Sequence, residues 1–402
     1  MKNMADDGGL LSGRRLGGAR KRQAVGAHPP AVGSMKITIA LVSFCLLLPF
    51  QAQTQQCSTS DCAYTGPLEP ERGPVVVQGI RVLAMNVYGQ SNDFDVYCQA
   101  RLRRTGEIIA NSQPPYNIIG LTEVHPNNPI STCDGQAIVE GIQINGEYGS
   151  GKHRWGHPEV DWSFDGGLAL FSTSKFDWAP YSEHAHRFSF DPLGRLPHGF
   201  IFSSIKVAND VSIDVYVTHL HSLGNWPTDC NRDCRYEELE ELAKGIHERS
   251  EDSGNPVLVM GDFNIGGPSP SPSACKGNCG YGDIMDVLRN PRDLWSETGP
   301  TSSGHTHERG VSSVVDQRID YMFVMTDPFF YNSKYEIFLA GRDAFEIVDW
   351  VMDEVDDDNP VSDHLGLSAT LEIRERVGPP PPECTPPIGP VVCAPDGGVL
   401  IE

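Results

Sequence analysis

The stretch Val257-Leu-Val-Met-Gly-Asp-Phe-Asn264 sets a buried strand directly against a carboxylate and an amide. Val257–Gly261 carries no charge and reads as a strand covered on both faces, and Asn255-Pro256 marks where the chain turns into it. Upstream, residues 236–249 (YEELEELAKGIHER) put Tyr236, Leu239, Ala243 and Ile246 on one face at helical spacing, with acids opposite. A helix therefore feeds a strand whose end presents Asp262 and Asn264. Strands bury apolar side chains, so polar groups at a strand end serve chemistry more often than packing.

The same arrangement recurs along the chain. Asn86 follows Ile80–Met85, Glu123 follows Ile118–Thr122, His219 follows Ile213–Thr218, Asp320 follows Arg318-Ile319, and Asp363-His364 precede Leu365–Leu371. Six such places predict one shared site. Carboxylate and amide oxygens are hard ligands that suit Mg²⁺ or Ca²⁺ better than zinc, and His219 and His364 exchange protons near neutral pH. A hard cation, a group that activates water and a second cationic group make a phosphoester hydrolase. His153, His157, His184, His186 and His305 read as structural or solvated, and the acidic run Asp353–Asp358 lacks the spacing of a calcium loop.

Over all 402 residues the net charge is −22. Residues 1–52 hold seven basic residues against two acids, so the remainder carries 24 basic and 51 acidic residues, a net of −27. An acidic surface repels phosphate polymers at long range and disfavours stable nucleic-acid binding, while leaving brief, metal-mediated contact open. Ile37–Phe50 (ITIALVSFCLLLPF) has the length of a signal-peptide core rather than of a membrane span. It follows Met35-Lys36, which competes with Met1 as the start, and cleavage near Ala52 with export is the expectation; a signal anchor is the alternative. Loss of Cys45 with this leader leaves ten cysteines: Cys57, Cys62, Cys98, Cys133, Cys230, Cys234, Cys275, Cys279, Cys384 and Cys393. In an exported chain these predict five disulfides. The spacings Cys230-x3-Cys234 and Cys275-x3-Cys279 also fit a zinc site, which export and the wide spacing disfavour. The expected organisation is a basic leader and signal peptide (1–52), a cysteine-bearing extension (53–77), a catalytic domain (78–373) with an irregular loop over 266–282, and a proline-rich tail (374–402) closed by a Cys384–Cys393 loop.

In order, Asn86-Val-Tyr88, Thr122-Glu123-Val124, Asp165-Gly-Gly-Leu-Ala-Leu-Phe-Ser172, Thr218-His219-Leu220, Gly261-Asp-Phe-Asn264, Arg318-Ile-Asp-Tyr321 and Ser362-Asp-His364 resemble the endonuclease/exonuclease/phosphatase superfamily. The chain looks most like its secreted sphingomyelinase branch, the bacterial-type neutral phospholipases C. The cues are Asp165-Gly-Gly, His198-Gly-Phe200, the cysteine-bearing insertion after Thr218-His219-Leu-His221, and Ile319-Asp-Tyr-Met-Phe-Val324. This resemblance implies an α/β, deoxyribonuclease-like fold, a four-layer sandwich of two packed mixed β-sheets flanked by helices. It implies that Asn86, Glu123 and Asp363 serve a Mg²⁺ or another hard divalent cation. Asp262 and Asn264 would position water, metal and phosphate, and His364 would be the general base, oriented by Asp320 and Asp363. His219 would stabilise the phosphorane or protonate the leaving group. The implied partner is a phospholipid or other phosphodiester, with phosphocholine released from sphingomyelin by a monomer. Peripheral membrane contact would run through Trp350-Val351 or Phe329-Phe330-Tyr331. A secreted nuclease, a small-molecule phosphatase and a non-catalytic binding protein are the alternatives.

Overall fold

A computed structural model describes residues 72–88, 98–124, 135–145, 153–155, 167–173, 176–178, 184–189, 198–221, 231–267, 280–298, 306, 318–326, 333–349, 351–353, 356–377, 392–393 and 399–400. The chain divides into units of residues 1–64 and 65–402, and every described residue lies in the second. The expected leader, Trp350, and Phe329-Phe330-Tyr331 lie outside the described residues. No described helix is long and apolar enough to cross a membrane.

The first half of the chain forms β1 (Val75–Asn86), α1 (Cys98–Asn111), β2 (Ile118–Thr122), α2 (Gln136–Ile142), β3 (His153–Trp155), β4 (Ala169–Ser172), β5 (Asp177–Trp178), β6 (His184–Arg187) and β7 (Gly199–Ala208). The second half forms β8 (Val211–His219), α3 (Asn231–Ser250), β9 (Val257–Asp262), α4 (Tyr281–Val287), β10 (Arg292–Asp293), α5 (Leu294–Glu297), β11 (Asp320–Val324), β12 (Tyr335–Leu339), β13 (Phe345–Val348), β14 (Val351–Asp353), β15 (Asp356–Pro360) and β16 (Gly366–Glu375). Two short pairs stand outside the main sheets, β14 with β15 and residues 392–393 with 399–400.

One sheet runs β12-β16-β1-β2-β4-β3, with β13 also on β16; the other runs β10-β11-β9-β8-β7-β5, with β6 also on β7. Each is built around one parallel pair, β1 with β2 and β8 with β9, joined through a helix and flanked by antiparallel neighbours. Alternation along the strands creates the layers. Val82, Ala84, Ile118, Leu170, Val215, Val217, Leu258, Met260 and Met322 point between the sheets. Leu83, Met85, Ile119, Leu121 and Phe171 point outward under α1 and α2, and Phe200, Tyr216, Val257, Val259 and Phe323 point outward under α3 and α4. Both faces of each central strand are thus covered, which explains why Val257–Met260 reads as an unbroken apolar run. The predicted four-layer α/β sandwich is the observed fold.

Two glycines let the centre close. A Cβ on Gly120 would lie 2.7 Å from Met260 Cε and 2.8 Å from Val217 Cγ2, so the bare glycine lets the other sheet's side chains close on it. Gly261 has φ +140°, and a Cβ on it would lie 2.0 Å from the Thr218 carbonyl oxygen; this bend directs the next residue, Asp262.

The structure corrects two local expectations and removes one disfavoured alternative. Helix α3 begins at Asn231, five residues before the predicted start, and its buried stripe is Cys234, Arg235, Glu238, Leu239, Leu242 and Ile246. Tyr236 falls off that stripe and is 39 % exposed. The loop expected over 266–282 ends earlier, because Tyr281 already opens α4, which buries Ile284. Cys98 and Cys234 are both disulfide-bonded, so Cys234 supplies no zinc thiolate.

Candidate active site

Strand register assembles the site. His219 is the partner of Asp262 across β8 and β9, and Asp262 is the partner of Asp320 across β9 and β11. Because β11 runs antiparallel to β9, the start of β11 lies beside the end of β9, so Asp320 opens a strand rather than closing one. In the other sheet Asn86 pairs with Thr122, immediately before Glu123. His364 precedes β16, whose Leu367 pairs with Ala84 of β1.

One amide reaches across the sheets. Asn86 Nδ2 donates to Glu123 Oε1 at 3.1 Å and to Asp262 Oδ2 at 2.9 Å. The Tyr88 N–H donates to Asn86 Oδ1 at 2.9 Å and fixes the amide in that orientation. Ser362 Oγ donates to the Asn86 carbonyl at 2.7 Å and accepts the His364 N–H at 3.1 Å, which ties the His364 segment to the end of β1. The buried Arg101 of α1 clasps the same two segments, donating to Val87 O and Val361 O at 2.8 Å and to Tyr88 O at 2.6 Å. On the other side Thr306 Oγ1 accepts from the Ile319 and Asp320 N–H groups, and the Thr306 carbonyl accepts the Leu365 N–H at 2.7 Å. Asp262 Oδ1 accepts the Asn264 N–H at 2.8 Å, and Asn264 Nδ2 donates to Leu220 O at 2.9 Å, binding the ends of β8 and β9 together. Tyr88, Glu123 and Asn264 hold φ of 50°, 59° and 50°. Left-handed backbone costs on the order of 1–3 kcal/mol for such residues and gathers at functional sites.

His364 stands between two carboxylates. Its Nδ1 is 2.9 Å from Asp320 Oδ2 and its Nε2 is 3.8 Å from Asp262 Oδ2. Burial alone would lower its pKa, but Asp320, then Asp262 and Asp363, hold it well above the ordinary 6.5. Burial, reinforced by Asp320, pushes Asp262 up to about 8 against the opposing His364, the Asn86 amide and the Asn264 N–H. His219 Nε2 lies 3.6 Å from Asp262 Oδ2 and 4.0 Å from Glu123 Oε1. The site therefore has one side where His364 stands between Asp320 and Asp262, and an oxygen side where Glu123 and Asp262 converge on one amide. The paired carboxylates of that second side fit a hard divalent cation.

The residues predicted from the strand ends gather here: Asn86, Glu123, His219, Asp262, Asn264, Asp320 and His364, with Asp363 adjoining His364. The ligand atoms of Asp262, Asp320 and His364 lie within 4.8 Å of one another, a set different from the predicted Asn86, Glu123 and Asp363. Asn86 turns its Nδ2, not its oxygen, toward the carboxylates. His186 is structural as expected, 3.0 Å from Glu241 and stacked on Phe200 at 4.9 Å between centroids. Missed from sequence were Arg101, Thr306 and a neighbouring cluster of His198, His221 and Glu238. Glu238 had a legible signal, since it lies four residues from both Cys234 and Leu242 on the buried stripe. Thr306 had none, because it acts through its hydroxyl and carbonyl inside a loop.

The sequence pattern of the Endonuclease/Exonuclease/phosphatase family matches residues 83–364. No curated protein matches the chain. Among solved structures, D. rerio TDP2 complexed with single-strand DNA product is 15 % identical with a TM-score of 0.50, over 73 % of this chain and 98 % of that one. A beta toxin mutant from Staphylococcus aureus with bound magnesium ions is 16 % identical with a TM-score of 0.48, over 73 % and 99 %. An endonuclease/exonuclease/phosphatase from Beutenbergia cavernae is 20 % identical with a TM-score of 0.49, over 73 % and 72 %. The family pattern spans both sheets and every residue from Asn86 to His364, and the chain belongs to the Endonuclease/Exonuclease/phosphatase family, whose members are metal-dependent hydrolases of phosphoester bonds.

Proposed function

We propose that this protein is an exported, Mg²⁺-dependent phosphodiesterase of the sphingomyelinase type, which releases phosphocholine from a zwitterionic phospholipid. The observation that carries the hydrolytic reading is the Asn86 amide, which holds Glu123 and Asp262 on one side of a site whose other side is the His364–Asp320 pair. A divalent cation bound at Glu123 and Asp262 would neutralise phosphate charge and lower the proton affinity of the histidines nearby. His364 Nε2 accepts the proton of the attacking water, and Asp320 at Nδ1 stabilises the imidazolium so formed. As the new P–O bond forms, the bond to the leaving alkoxide breaks, and His219 on the opposite side of Asp262 meets the developing charge and supplies its proton. Asn264 and Arg101 hold the strand ends in place.

The lipid substrate rests on sequence cues, Asp165-Gly-Gly and His198-Gly-Phe200, and on charge. A net of −27 outside the leader repels a nucleic-acid polyanion and leaves a zwitterionic headgroup unaffected. Export rests on Ile37–Phe50 and on the disulfides of Cys98 and Cys234. One preparation tested with Mg²⁺ against sphingomyelin vesicles, lysophospholipid, double-stranded DNA and a small phosphomonoester decides the substrate. Phosphocholine release from sphingomyelin is expected. DNA cleavage without it moves the chain to a nuclease role with the same site, and no turnover on any of the four contradicts the hydrolytic reading.

A further inference from the structure

Beside the hydrolytic site, three side chains from three different segments converge. His198 leads into β7, His221 follows β8, and Glu238 comes from the buried stripe of α3; their candidate ligand atoms all lie within 4.8 Å of one another. Glu238 is 1 % exposed, whereas both imidazoles are half-buried and reachable from solvent. The His221 N–H donates to Glu238 Oε2 at 2.8 Å and so fixes the carboxylate beside the ring of the same residue. The His198 and His221 rings stand edge to face, 5.1 Å apart at 78°.

We propose that His198, His221 and Glu238 form a second cation site, for a borderline ion such as Zn²⁺. Two imidazoles and one carboxylate are the donor set that zinc favours with a fourth position left open, and it is a set that Mg²⁺, which prefers oxygen, does not. The site at Glu123 and Asp262 has the converse preference, so the two adjoining sites sort ions by hardness. They are also in contact: the His198 ring packs edge-on against His219 at 5.1 Å, while His219 Nε2 faces Asp262 at 3.6 Å. An ion on His198 thus lies one ring away from the hydrolytic centre. Arg235 is the opposing charge. Buried at 2 % exposure and lowered by that burial to about 10, it remains cationic at neutral pH and shares Glu238 with the ion. The alternative is that Glu238 serves only Arg235 and the His221 backbone, in which case the cluster takes up no metal.

Metal counting on the whole protein separates the two, whatever phosphoester is hydrolysed. Metal-free protein in excess Mg²⁺ is titrated with Zn²⁺, and with Co²⁺ for its visible spectrum, and bound metal is measured after gel filtration. Wild type should retain one zinc equivalent and show a low-coordinate cobalt spectrum. His198→Ala and His221→Ala, both at half-buried positions, should each lose that equivalent or bind at least about 100-fold more weakly, the upper end of what outer ligand partners contribute. Glu123→Gln should keep it. No zinc in wild type, the same zinc in either histidine variant, or its loss in Glu123→Gln alone overturns the proposal.

Discussion

The two sheets share a plan and differ in what they carry at one end. In the first, the parallel pair β1 and β2 finishes in Asn86, Thr122 and Glu123, an amide, a hydroxyl and a carboxylate. In the second, β8 and β9 finish in His219 and Asp262 with Asp320 alongside, an imidazole and two carboxylates. His364 crosses between them: its segment is tied to β1 through Ser362, and its ring is bonded to Asp320 of the other sheet. On the proposed reading the first sheet end offers a cation oxygen groups alone, while the second adds imidazole and lends Asp262 to the cation as well, so that neither is a hydrolytic site alone.

The sharpest way to break this division is at its crossing point. His364→Ala should slow turnover by about 10²-fold or more, the usual contribution of a positioned acid–base group, without changing the cation concentration needed for half-activity. Glu123→Gln should show the converse, a cation requirement raised by roughly 10-fold or more with a smaller loss at saturating Mg²⁺; activity indifferent to both this change and a chelator would remove the cation from the oxygen side. A pH profile sharpens the proton side. A base must first lose its proton, so kcat/KM at fixed Mg²⁺ should show an acid limb whose position the neighbouring Asp320 holds up. Asp320→Asn removes the principal group that raises it, and the limb should move to lower pH as the maximum falls; an unmoved limb would take Asp320 out of this role. The smallest effect concerns the contact between the sheets. Gly120→Ala meets Met260 and Val217 and should cost about 1–3 kcal/mol in denaturant unfolding, with activity largely kept at low temperature.

Much of this was legible because central strands announce themselves. Val257–Gly261 and Ile118–Thr122 are buried on both faces, so a polar residue next to either stands out in the sequence. Their assembly into one site was legible through the order of the motifs. What the sequence hid depends on register and on hydrogen bonds made at a distance. Nothing in Asn86-Val-Tyr88 shows that the Tyr88 N–H turns the amide toward Glu123 and Asp262. Arg101 looks like one more basic residue on an amphipathic helix, yet it clasps three backbone carbonyls 13 to 260 residues away. Helical spacing groups Tyr236 with Leu239 and Ile246, but it is Leu239, Leu242 and Ile246 that pack under Phe200 and Val257, and Tyr236 stays exposed.

The central claim is that the two sheet ends act as one unit, and a double-mutant cycle on Glu123→Gln and His219→Ala measures it directly. With kcat/KM determined at fixed Mg²⁺ for wild type, each single variant and the double variant, residues that serve one transition state lose little more together than the worse of the two alone. The account predicts that strong non-additivity, consistent with His219 Nε2 lying 4.0 Å from Glu123 Oε1 across the sheets. Losses that simply multiply would mean that the two ends work independently, and would contradict it.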